Sequence, residues 1–116
     1  MTPEAKVKAA VERFFRKLKA AGQLIRWYKV HGSGRTKTGE PDLDVIFHGY
    51  SVKIELKAPG QRPTKIQEVR LAECRAAGGL AFCASSVVEV ASYLQLFCVA
   101  NGIDFKGGEF LGERGS

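Results

Sequence analysis

The chain has 116 residues, enough for one domain, and 45% of them are hydrophobic, which excludes wholesale disorder. Lysine and arginine outnumber aspartate and glutamate by 18 to 12, and the net charge of +6 favours a polyanionic partner, most simply nucleic acid. No apolar stretch approaches the roughly 18 residues of a membrane span, and Met1-Thr2-Pro3-Glu4 lacks the basic-then-apolar order of a signal peptide.

No membrane association is therefore expected, and a cytoplasmic location is, in a protein that is intracellular or phage-encoded. Cys74, Cys83 and Cys98 are odd in number, form no CxxC pair and have Ala, Phe, Leu and Val as neighbours. They read as buried, reduced thiols.

Pro3 to Ala21 is predicted to be a helix. Val7, Val11, Phe14, Phe15 and Leu18 recur at three- and four-residue spacings and form an apolar stripe. Thr2 is a capping residue, Pro3 suits the first helical position, and Gly22 ends the helix. Lys6, Lys8, Arg13, Arg16, Lys17 and Lys19 line its other faces. Leu24 to Val30 has strand propensity through Ile25, Trp27 and Tyr28. His31 to Glu40 is punctuated by glycines, made basic by Arg35 and Lys37, and reads as a loop.

Leu43–Phe47 and Tyr50–Leu56 follow as a hairpin turning at His48-Gly49. Ala58 to Pro63 is a connector. Thr64 to Ala77 is a second helix stopped by Gly78-Gly79. Leu80 to Ser85 is a short buried strand. Ser86-Val87-Val88-Glu89 matches a capping box and opens a third helix reaching about Ala100. Ile103 to Ser116 is Gly-rich, weakly patterned and expected to be a short strand or an ordered tail. The order α-β-β-β-α-β-α implies an α/β fold with a mixed sheet flanked by helices.

The hairpin carries the chemistry. Pro41-Asp42 precedes Glu55-Leu56-Lys57 by twelve residues. Val52, Ile54 and Leu56 alternate with Lys53, Glu55 and Lys57, so Glu55 and Lys57 share a strand face. Asp42, at the start of the partner strand, then lies beside Glu55. Two neighbouring carboxylates repel unless a cation sits between them, and an oxygen-only site suits Mg²⁺ or Mn²⁺. Asp44 shares that face by the same rule and stays open as a ligand in Asp42's place or beside it.

Pro41-Asp42 with Glu55-Leu56-Lys57 resembles the PD-(D/E)xK nuclease core. More narrowly, residues 4 to 92 resemble a stand-alone VRR-NUC domain, the virus-type replication-repair nuclease. The resemblance runs through Glu4, the Gly32-Ser33-Gly34 loop, Gly39-Glu40-Pro41-Asp42-Leu43, Ile54 to Pro59, Gln67, Gly78-Gly79 and Ser85-Ser86-Val87. It implies a restriction-endonuclease-like fold and hydrolysis of DNA phosphodiesters with Mg²⁺ or Mn²⁺. It also implies that Asp42, Glu55 and the backbone carbonyl of Leu56 bind metal, and that Lys57 contacts the attacking water or the scissile phosphate. Gln67 would orient water, phosphate or Lys57. Glu4 would reach the site through a metal-bound water, with Glu12 the competing helix carboxylate.

Duller roles stand beside these. Asp42 can cap a turn, and Glu55 and Lys57 can be solvated strand charges. Thr64-x-x-Gln67 is also a capping box, and one conformer of Gln67 is expected to serve only one of its two roles. Arg35, Lys37, Arg62 and Lys65 flank the site and would neutralise DNA phosphates without reading sequence. Ser33 and His31 would add contacts from the glycine loop. His31 and His48 lack metal-ligand spacing and otherwise read as loop and turn residues.

The third helix is apolar on more than one face through Tyr93, Leu94, Leu96, Phe97 and Val99, as a dimer surface or as ordinary core. A domain this small has little surface for sequence readout, and a two-fold dimer would place two sites on opposed strands. The resemblance includes homodimers that cut Holliday junctions, so a junction-resolving homodimer is expected. Flap- or nick-directed cleavage, a catalytically silent DNA-binding module, and a nuclease subunit of a larger complex are the alternatives.

Overall fold

A computed structural model describes residues 1–30 and 38–111. His31, Ser33, Arg35 and Lys37 lie outside the described residues, as do 112–116 of the C-terminal stretch. The elements are helix α1 (Pro3–Ala20), strands β1 (Ile25–Lys29), β2 (Leu43–Phe47) and β3 (Tyr50–Leu56), helix α2 (Lys65–Ala76), strand β4 (Leu80–Ala84) and helix α3 (Val87–Asn101). This is the predicted order, with boundaries shifted by a residue or so.

Local chemistry accounts for the element ends. The Thr2 hydroxyl accepts from the Ala5 amide at 3.1 Å, with Pro3 in the first turn. The hairpin turns on His48 at φ 50° and Gly49 at φ 83°, the pair of positive φ values that a two-residue type I′ turn requires. Ser86 caps α3 by accepting from the Glu89 amide. Glu89 reaches back to the Ser85 amide and hydroxyl.

The sheet order is β1-β2-β3-β4, antiparallel except for the parallel β3–β4 pair. Joining parallel strands needs a crossover, which α2 supplies. Register sorts the side chains. Leu43, Val45, Val52, Ile54 and Leu56 face the apolar stripe of α1 and Val90, Ala91, Leu94 and Cys98 of α3, forming the core. The opposite face presents Asp42, Asp44, Lys53, Glu55 and Lys57, and α2 lies against its β3–β4 side. A one-residue slip would bury the charges in the core, so the apolar set enforces the site's face.

The structure gives detail to three expectations. The C-terminal stretch holds no strand among its described residues. It forms a single 3₁₀ turn (Gly108–Phe110) whose Phe110 ring meets Phe14 edge-on at 4.8 Å, with Phe105 and Leu111 also packed on the core. These aromatic and aliphatic residues are scattered among glycines with no period, so pattern reading passes over them. Of the cysteines only Cys98 is buried; Cys74 and Cys83 are half-buried. They lie on α2 and on the outermost strand, where cover is incomplete. Core packing explains one side of α3, while Tyr93, Leu96 and Val99 remain 42%, 68% and 71% exposed.

No helix among the described residues is long and apolar enough to cross a membrane.

Candidate active site

The charged sheet face gathers Asp42, Glu55, Lys57 and Gln67 at one end. Asp42 leads into β2, and its Oδ2 accepts from the Leu56 amide across the strand gap at 2.8 Å. That bond orients the carboxylate toward Glu55. The loop before it is pinned from α2, where Arg70 donates to the Thr38 carbonyl at 3.1 Å and pairs with Glu40 at 3.6 Å. Gly39, at φ 84°, passes so close to Ile66 that a Cβ there would sit 3.0 Å from its side chain. Glycine is needed for both the conformation and the approach.

Glu55 is 2% exposed. Its Oε2 accepts from Gln67 Nε2 at 3.1 Å and pairs with Lys57 Nζ at 3.5 Å. Its Oε1 is buried and has no partner among the described residues. Burial, and then the Asp42 carboxylate beside it, push the Glu55 pKa up to about 7, with Lys57 pulling the other way. An orphaned carboxylate oxygen next to a second carboxylate is the donor set that a hard divalent cation fits.

Among the described residues, no three acidic, His or Cys side chains gather closely enough to hold a metal alone. A metal held here would need Asp42 and Glu55 together with backbone oxygen, for which the Leu56 carbonyl is the expected donor. Glu4 stands behind an ammonium. Lys8 pairs with Glu4 at 3.3 Å and with Asp42 Oδ1 at 3.5 Å, bridging the two. Burial opposes that charge, but Asp42 and Glu4 outweigh it and raise the Lys8 pKa.

The competing carboxylates are engaged elsewhere. Asp44 pairs with Lys53 at 2.8 Å and accepts from the Tyr28 hydroxyl at 2.9 Å. Glu12 pairs with Lys29 at 3.4 Å. Arg62 and Lys65 are exposed on the connector and at the start of α2. His48 is a turn residue whose ring nitrogen meets Gln23 Nε2 at 2.8 Å.

Gln67 makes two contacts. Its Oε1 accepts from the Thr64 amide at 2.8 Å while its Nε2 donates to Glu55. The cap and the contact to Glu55 use opposite ends of one amide, so one conformer makes both. Lys8 and Arg70 were not singled out for the site by sequence reasoning. Lys8 carries a weak signal in its i,i+4 spacing from Glu4. The partners of Arg70 depend on tertiary packing alone.

The fold is similar to known structures. One described as "VRR_NUC domain" is 31% identical, with a TM-score of 0.61, and the match covers 82% of this chain and 97% of that one. A second, described as "VRR_NUC domain protein", is 23% identical, with a TM-score of 0.63, covering 90% of this chain and 93% of the other. The architecture is restriction-endonuclease-like: a mixed four-stranded sheet between helices. No family model and no curated protein matches the chain.

Proposed function

The chain belongs to the VRR-NUC family of nuclease domains, and on that premise we propose that it is a Mg²⁺- or Mn²⁺-dependent endonuclease cutting branched DNA, a Holliday junction above all, as a homodimer. The observation that carries the metal-dependent reading is the buried Glu55 carboxylate, with Oε1 unpartnered, beside Asp42. Burying a carboxylate without full pairing is costly unless something binds there.

Asp42, Glu55 and the Leu56 carbonyl would hold the ion. When bound, it supplies a lowered pKa for an attacking water and positive charge against the phosphoryl transition state. Lys57 follows β3 at the mouth of the site. Its ammonium would bind the scissile phosphate or the attacking water and offset negative charge there. Gln67 keeps Glu55 in one rotamer. The Asp42–Leu56 bond keeps the strand ends in register, so both carboxylates arrive already oriented. Arg62 and Lys65, with Arg35, Lys37, Ser33 and His31, would hold phosphates around it.

The homodimer reading is supported by the exposed apolar side of α3, with Leu96 and Val99 the most open. Two sites related by a two-fold axis suit paired cuts in a four-way junction.

The test is cleavage of a labelled four-way junction beside duplex, flap and single strand, in Mg²⁺, Mn²⁺ or EDTA, with Lys57→Ala in parallel. Symmetric, metal-dependent junction cuts that vanish in the variant are expected. Metal-dependent cutting of another substrate would remove the junction preference and keep the nuclease. A folded protein that cuts nothing would sink the catalytic reading. Light scattering after size exclusion checks the dimer, and a monomer would count against paired cleavage.

A further inference from the structure

Outside the carboxylate site, α1 carries a basic groove that leads away from it. Ala5, Lys8, Ala9, Glu12, Arg13 and Arg16 fall on one stripe of the helix at three- and four-residue steps. From Ala5 to Arg16 that stripe extends about 16 Å at the α-helical rise. With Lys29 of β1 it lines a groove of about 440 Å³, within the roughly 300–1,000 Å³ of ligand clefts. A smaller hollow of about 80 Å³, lined by Lys8, Lys29, Val30, Asp42 and Leu43, adjoins it. Lys8 and Lys29 line both, so the two hollows lie side by side, with Asp42 on the smaller one.

Its lining has a definite chemistry. Ala5 and Ala9 are small and let a ligand approach the helix backbone. Lys8, Arg13, Arg16 and Lys29 are its cations; Lys8 is held by Glu4 and Asp42 and Lys29 by Glu12, which leaves Arg13 and Arg16 as the groove's excess positive charge. Among the described residues no carboxylate pairs with Arg13 or Arg16, and both are exposed. An apolar or cationic occupant would leave those charges unmatched. A chain of anionic groups matches them, and guanidinium groups bind phosphates in bidentate fashion.

We propose that this groove holds the phosphodiester backbone of one nucleic-acid strand where it runs away from the cleavage site, with Arg13 and Arg16 as its phosphate contacts. The proposal rests on the nuclease reading for its direction, since Asp42 lines the hollow beside the groove. It adds a strand path along α1, distinct from the loop residues already assigned to DNA. Arg13 and Arg16 position the strand and touch no reacting atom.

Binding of a labelled single strand and of a labelled four-way junction, followed by fluorescence anisotropy in EDTA across a KCl series, tests it. Arg13→Gln/Arg16→Gln is compared with wild type and with Lys106→Gln, a charge loss outside the groove. Melting curves check that each variant is folded. The double variant should weaken single-strand binding about tenfold at low salt. Its log-affinity against log-salt slope should fall by about 1.4, or roughly 0.7 for each lost contact. Lys106→Gln should stay within about twofold of wild type with an unchanged slope.

A loss per charge removed that is the same in both variants would mean general charge only and overturn the groove. So would wild-type affinity and slope in the double variant, or no binding of any nucleic acid by wild type. The last result would turn attention to an acidic protein segment. Because EDTA removes the chemistry, the measurement stands apart from catalysis. Wild type that cuts no substrate defeats the proposed function while the anisotropy still decides the groove. Cleavage by the double variant with unaltered KM defeats the groove while the nuclease survives.

Discussion

Gln67 ties Glu55 to the start of α2 through one amide group, donating to the buried carboxylate with Nε2 and accepting from the Thr64 amide with Oε1. Helix capping and orientation of the site therefore share one side chain. Any change at this position moves stability and site geometry together.

Gln67→Ala should consequently show two effects. Loss of the cap costs about 1 kcal/mol, read as a lower denaturation midpoint. Loss of the Glu55 contact should lower divalent-ion affinity or cleavage by about 10- to 100-fold, the usual effect of removing a group that orients a metal-binding residue. Thr64→Ala separates the two, since it removes the hydroxyl cap and leaves Gln67 free to hold Glu55. If Thr64→Ala loses as much metal affinity as Gln67→Ala, the orienting role is wrong.

The raised pKa of Glu55 sets a pH dependence. In the folded protein without metal it titrates near 7 rather than near 4.5. The native state therefore binds more protons than the unfolded chain between those values, and stability falls as pH rises through that window. The loss is about 3 kcal/mol at its largest, taking 1.36 kcal/mol per pH unit. Melting in EDTA at stepped pH should show it. Glu55→Gln should flatten the curve and exceed wild type above pH 7. A wild-type curve already flat between pH 4.5 and 7 would contradict the raised pKa.

Lys8 supplies positive charge to Asp42 and Glu4 in the metal-free protein. Replacing it with methionine keeps most of the chain length and removes the ammonium. Like carboxylates are then left facing each other, so Lys8→Met should melt lower in EDTA. A divalent ion should bind it several-fold tighter than wild type, because no fixed cation stands beside the ligands. Calorimetric titration with Mn²⁺ reads this directly, and unchanged affinity would show that Lys8 is only a surface ion pair.

Gly39→Ala tests the approach to Asp42. The φ of 84° and the contact with Ile66 at 3.0 Å both oppose a Cβ. A loss of about 1–2 kcal/mol is expected from the backbone strain alone. Gly60, at φ 86° with open space around it, carries the strain without the clash. Gly39→Ala should be the more damaging of the two in matched denaturation curves.

Element order, the hairpin and the face on which Asp42, Glu55 and Lys57 lie are legible in the amino-acid sequence. Those features follow from local periodicity: a repeat of two in Val52, Ile54 and Leu56 assigns every neighbour to a side, and a repeat near 3.6 does the same for α1. Gln67 is legible too, through its spacing from Thr64 and the family resemblance, and so are the helix pair Glu4–Lys8 and the cross-strand pair Asp44–Lys53. The longer-range partners of the charges depend on packing. Asp44 is drawn to Tyr28, Glu12 to Lys29, and Lys8 to Asp42, because helix and strand packing sets those distances and no period encodes them. Tertiary structure also brought Phe110 onto Phe14 and bent the chain at Gly39 under Ile66. Such contacts join residues far apart along the chain, where geometry in three dimensions, rather than spacing in one, determines the energy.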